Sequence, residues 1–160
     1  MKTKPIYWRL LLFACILAIC GYVLCSSILH KRAIFLTERG ELYIQQNRFV
    51  EARQALEEAT RIWPEFALGH IDLAEVLIKQ GACKGAIVEL QRALRLSPSE
   101  LRPSVYFRLG LAYDCDGQRT EAQAAWTEVL KYPDAQDRAA ARKLLDRVPN
   151  SVDSSTGTGL

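Results

Sequence analysis

Two histidines and five cysteines are the side chains in this 160-residue chain best suited to holding a metal, relaying a proton or attacking a carbonyl. Their placement argues against all three chemistries. Cys15, Cys20 and Cys25 recur at five-residue intervals in an apolar segment, and a five-residue step turns about 140° around a helix, so they cannot share a face for a metal. They read as small apolar filler, with acylation of Cys15 or Cys25 as the alternative. His30 borders the apolar segment and reads as an interfacial polar residue. His70 falls among packing positions and reads as a satisfied core histidine. No Cys-x-x-Cys, His-x-x-x-His, Walker or Gly-x-Ser-x-Gly pattern occurs. The expectation is a non-enzyme with no catalytic residue, metal site, cofactor or small-molecule substrate.

Composition points the same way. Apolar residues make up 49% and charged residues 24%, with a net charge of +3, too little to argue for a nucleic acid or another polyanion as partner. The local distribution is more informative. Leu10 to Leu29 (LLLFACILAICGYVLCSSIL) is an uncharged run of about 20 residues, enough for a helix to cross ~30 Å of hydrocarbon. Lys2, Lys4 and Arg9 precede it, and His30, Lys31 and Arg32 follow it. We read residues 1–32 as a membrane anchor, with residues 10–29 in the bilayer. A cleaved signal peptide is the alternative, but the run exceeds the usual apolar core of about 7–15 residues in such a peptide. The basic excess in the leading residues favours a cytoplasmic N-terminus and a body outside the cytoplasm, periplasmic in a bacterium.

Beyond Arg32 the chain repeats with a period near 34 residues. Ala33 to Phe66 aligns with Ala67 to Glu100 without a gap, and a third copy, Pro103 to Gln136, follows after an offset of two. Place eight holds Gly40, Ala74 and Gly110; place twenty holds Ala52, Ala86 and Ala122; place twenty-seven holds Ala59, Ala93 and Val129. Larger side chains recur at place eleven (Tyr43, Leu77, Tyr113) and place twenty-four (Leu56, Leu90, Trp126). Asn47, Gly81 and Gly117 at place fifteen tolerate the left-handed conformation that ends a helix. Pro64, Pro98 and Pro133 stop the second helix of each copy. Each copy therefore reads as helix, tight turn, helix.

These residues closely resemble the tetratricopeptide repeat family. Leu73, Ala74, Leu77, Ala86, Leu90, Ala93 and Pro98 of the middle copy all sit on the family pattern. The first copy departs most, with Leu36 at the aromatic place four and Arg39 at the leucine place seven; His70 replaces the aromatic in the second. The expected fold is all-α: after the N-terminal transmembrane helix read from the apolar run, the resemblance implies a short right-handed superhelix of three helical hairpins (33–66, 67–100, 103–136). A capping helix is expected over 137–148, where Leu144, Leu145 and Val148 share a side, and a disordered tail over 149–160. With no proline between Leu29 and Tyr43, the membrane helix could run straight into the first repeat helix.

The resemblance also puts Cys83 at the start of the second helix of repeat two and Cys115 at the end of the first helix of repeat three, and these helices are antiparallel neighbours. If the body lies outside the cytoplasm, the two could form a disulfide, provided their Cα atoms lie within about 7 Å. Two unpaired cysteines used as small side chains are the alternative.

Members of the family bind extended or helical peptides on the concave face lined by the first helix of each repeat. Those places here give an apolar strip of Leu68, Ile71, Ile78, Phe107 and Leu111, edged by the acids Glu38, Glu41, Asp72 and Glu75, with Arg108 in the same set. The Lys and Asn residues with which some members grip acidic chaperone tails are replaced by Thr37, Glu41, Ile71 and Glu75. The expected partner is a protein or peptide, apolar with basic flanks. The reading is a membrane-anchored scaffold that recruits or assembles a complex; a permanent structural subunit of a membrane complex is the alternative.

Overall fold

A computed structural model describes residues 4–147. The 149–160 tail and Val148 lie outside the described residues. The described chain is entirely helical: α1 (Lys4–Gln45), α2 (Phe49–Ile62), α3 (Ala67–Lys79), α4 (Cys83–Leu96), α5 (Arg102–Cys115), α6 (Arg119–Leu130) and α7 (Arg138–Leu145).

α1 is a single helix of 42 residues, so the apolar run and the first repeat helix are continuous. At 1.5 Å per residue it is about 63 Å long, twice the thickness of a bilayer core. Its two halves differ in what covers them. Large apolar side chains from Leu10 to Leu29 are exposed, whereas Ala33, Leu36, Thr37 and Gly40 are buried against the rest of the protein. This helix is long and apolar enough to cross a membrane.

The three hairpins close with the same backbone device. Asn47, Gly81 and Gly117 adopt φ of 58°, 74° and 78°. In each case the following N–H reaches back to the last turn: Arg48 to the Tyr43 carbonyl, Ala82 to Leu77 and Gln118 to Tyr113, all at 2.8 Å. The left-handed residues themselves donate to Ile44, Ile78 and Asp114 at 2.9–3.0 Å. These paired bonds satisfy carbonyls that a helix end leaves without partners, and only a residue tolerant of positive φ permits them.

Between the helices of a hairpin, a small residue faces a large one. A Cβ on Gly40 would lie 2.7 Å from Leu56 Cγ, and one on Gly110 would run into the Trp126 indole, 2.8 Å from Cε2. Place eight is thus small because place twenty-four is large. The main core joins all three hairpins through Leu56, Ile71, Leu73, Val76, Leu90, Val105 and Leu109. A second cluster around Trp126 and Val129 is closed by Ala141, with Leu144 and Leu145 of α7 packed on it. α7 therefore covers the apolar side that the last repeat would leave open.

Two features tie α2 and α3 to α1. Arg32 pairs with Glu58 at 2.5 Å. The Trp63 ring, in the turn from α2 to α3, is sandwiched between His30 (centroids 4.2 Å apart) and Phe66 (4.7 Å, planes 6° apart). His70 is fully buried, with Nδ1 2.6 Å from Glu89 Oε2 and Nε2 2.9 Å from the Pro64 carbonyl. Its hydrogen bond is the first cause holding the Glu89 carboxyl below its ordinary range, and it outweighs burial, which acts the other way. This histidine fastens the α2–α3 turn to α4.

Candidate functional site

The residues expected on the concave face come from α1, α3 and α5, and their accessibility separates them into two groups. Ile78, Phe107, Arg108, Leu111 and Glu75 remain partly exposed and line a pocket of about 220 Å³ together with Lys79 and Asp137. Leu68 is exposed at the edge, as is Glu41. Ile71, by contrast, is 3% exposed and belongs to the main core. It is not a groove wall, because the stacking of repeats covers the middle of α3 from both sides.

Two pocket residues have different histories. Asp137, from the approach to α7, was absent from the sequence-based set because only packing of the cap brings it back over the groove. Lys79 continues the α3 face one step beyond Ile78, and its place in the repeat was a legible signal.

Arg108 organises the polar side of the pocket. Its guanidinium lies 3.4 Å from Glu75 Oε2 on α3 and donates to Ser104 Oγ on its own helix at 2.5 Å. Glu75 and Arg108 are each about a third exposed, so this pair is worth a fraction of a kcal/mol in stability and chiefly positions the two side chains.

Asp72 lies deeper, 7% exposed, and its Oδ2 has no hydrogen-bond partner among the described residues. Burial first, then the neighbouring charge of Glu41, push its carboxyl up to about 7; Arg108 pulls the other way and Glu75 adds to the rise. A carboxyl raised above its unfolded value stabilises the fold fully below about pH 4 and loses that contribution as pH climbs through about 7. Asp72→Asn keeps the shape without the titration. It should exceed the wild-type chain by about 1–3 kcal/mol in unfolding free energy at pH 8, with the two converging near pH 4. Parallel stability profiles across that range would contradict the burial of Asp72 beside Glu41.

At the hairpin-turn end of the stack, Cys83 at the start of α4 and Cys115 at the end of α5 have Cα atoms 5.8 Å apart, and their sulfurs are placed as a disulfide. Cys15, Cys20 and Cys25 are exposed on the apolar half of α1. Among the described residues no cluster of three or more His, Cys, Asp or Glu side chains is arranged to hold a metal.

Comparison with known proteins follows this geometry. A sequence profile of the tetratricopeptide repeat family matches residues 43–103. Mouse trafficking protein particle complex subunit 12 is 29% identical over 93 residues, 58% of this chain but only 12% of that protein's length. Among solved structures, the Arabidopsis OM64 TPR domain superposes with a TM-score of 0.66 at 18% identity, covering 74% of this chain and 97% of that domain. The second TPR domain of human RPAP3, solved with the HSP70 peptide SGPTIEEVD, gives 0.66 at 18% identity over 75% and 99% of the two chains. At these identities the likeness concerns the fold: a tetratricopeptide-like stack.

Proposed function

We propose that this chain is a membrane-anchored tetratricopeptide scaffold whose concave face captures a protein segment and holds it at the membrane surface. The observation that carries the reading is the pocket of about 220 Å³ between α3 and α5, floored by Ile78, Phe107 and Leu111 and rimmed by Glu75, Asp137, Lys79 and Arg108. It supplies apolar contact where the repeats are otherwise covered, and charged groups at its margin.

The charge pattern selects the partner. Glu41 and Glu75 act on Asp72 from the same side of the stack, with Arg108 among them, so an apolar segment with Lys or Arg flanks fits better than the acidic peptide in the RPAP3 complex. Asp72 gives this choice a cost. A buried carboxyl with one oxygen left without a partner is the kind of group a cationic partner would satisfy.

The apolar half of α1 serves as the anchor, with the N-terminus in the cytoplasm and the repeats outside it. An oxidising compartment there would keep Cys83 and Cys115 joined. The scaffold itself carries no chemistry.

An array of apolar peptides with basic flanks, and the same peptides with acidic flanks, tests the groove. The basic series should bind, and Phe107→Asp or Leu111→Asp should weaken binding at least about tenfold with unchanged helicity, since these side chains sit at the centre of the pocket. Both are partly exposed but also pack on the second core cluster, so a thermal melt of each variant accompanies the binding assay, and only a variant that still unfolds cooperatively is scored. Equal capture of both series, or undiminished binding by both variants, would place the interface elsewhere.

A further inference from the structure

The two halves of α1 meet at a definite level, and a second part of the chain arrives at the same level. Uncharged sequence ends at Leu29, and cover by the repeats begins at Ala33. Between them His30 stacks on Trp63, which stacks in turn on Phe66. α2 runs antiparallel to α1, so the turn from α2 to α3 is returned to the end of the apolar run, whereas the Asn47 turn lies about 25 Å further along α1.

We propose that the α2–α3 turn is seated in the headgroup layer of the bilayer crossed by α1, with Trp63 and Phe66 as its aromatic anchors. The partner is the lipid surface itself. Trp63 and Phe66 are only partly covered, and Pro64 and Glu65 between them are exposed. Indole rings settle at membrane–water boundaries because one body is apolar and one edge donates a hydrogen bond. Lys31 and Arg61 are exposed at the same level and suit the phosphate layer, while Arg32 is held by Glu58. His30 fixes the ring against the spanning helix, so the repeats stand on the membrane through two connected points rather than hanging from one helix. The hairpin-turn end, with Cys83 and Cys115, then points away from the bilayer.

The inference rests on residues 10–29 crossing the membrane, and the experiment separates the two. The full chain carrying Trp8→Phe is reconstituted into phosphatidylcholine vesicles with a minority of phosphatidylglycerol, the acyl chains brominated either near the headgroup or near the chain end. Two tryptophans remain: Trp63, and Trp126, which is 1% exposed in the core and out of lipid reach. With vesicle flotation confirming insertion, headgroup-proximal bromine should quench roughly a third of the emission, and distal bromine much less, as expected for a ring at the interface. The same chain with Trp63→Phe added should float equally and lose that quenching. Flotation without quenching overturns the docked turn and leaves the anchor standing. Failure to float overturns the anchor and the inference together.

Discussion

Gly110→Ala is expected to lower the unfolding free energy by about 2 kcal/mol, even though alanine is the better helix former by about 1 kcal/mol. The cause is one contact. The added methyl would occupy the space of the Trp126 indole, which is 1% exposed and closed in by Val129 and α7. The ring cannot swing outward without opening the second core cluster. Gly85→Ala is the control with opposite sign: a Cβ there meets only Leu77 Cδ1, at 3.5 Å, on an exposed position of α4. It should stabilise by about 0.5–1 kcal/mol through propensity alone.

Denaturant midpoints of the two variants in the same detergent give the comparison. Adding Trp126→Leu should remove most of the Gly110→Ala penalty, because the two changes act on one contact and are not additive. If Gly110→Ala were as stable as Gly85→Ala, the small-against-large pairing across the hairpin would not be what sets place eight.

Reducing the Cys83–Cys115 bridge is expected to cost about 3–4 kcal/mol, from the chain entropy released when a loop of this length is opened in the unfolded state. The two residues are 32 apart in sequence, and the bridge joins α4 of the second hairpin to α5 of the third. The loss should fall on the junction between repeats two and three, which also forms the pocket. The midpoint of the wild-type chain should drop on adding reductant; that of the Cys83→Ser/Cys115→Ser chain should start low and not move.

Alkylation of protein taken from its native membrane without reductant extends the test to topology. Three reactive thiols, Cys15, Cys20 and Cys25, are expected under denaturing conditions, and five after reduction. Five before reduction would mean that the body faces a reducing compartment, and the extracytoplasmic orientation would fall.

Much of the fold was legible because its determinants are local. Asn47, Gly81 and Gly117 recur at one place in the period, and each ends a helix with the same pair of backbone bonds. Prolines follow the ends of α2, α4 and α6 within three residues. The small residues at place eight and the large ones at place twenty-four were visible in the period, but that they face each other across the hairpin is a property of the fold. The site was less legible. Ile71 and Phe107 are both apolar residues on the inner faces of first helices, and nothing in their local pattern distinguishes them. Yet one is core and the other lines the pocket. Ile71 sits in the central repeat, covered from both neighbours, while Phe107 sits nearer the end of the stack, where α7 shields it less completely.

What the sequence by itself determined is therefore the helical hairpin, its turns, its stop signals and an apolar stretch long enough to cross a bilayer. These depend on backbone conformation and on contacts within about one period. Only the tertiary structure decided which apolar side chains stay accessible, that Asp72 is buried with Oδ2 unpartnered, and that Asp137 closes the pocket. The same holds for Trp63, brought onto His30 from 33 positions away in the chain, and for the 5.8 Å that separates the Cα atoms of Cys83 and Cys115. Each of these depends on the angle at which one hairpin packs on the next, and that angle is a sum over many side-chain contacts that no single residue pattern encodes.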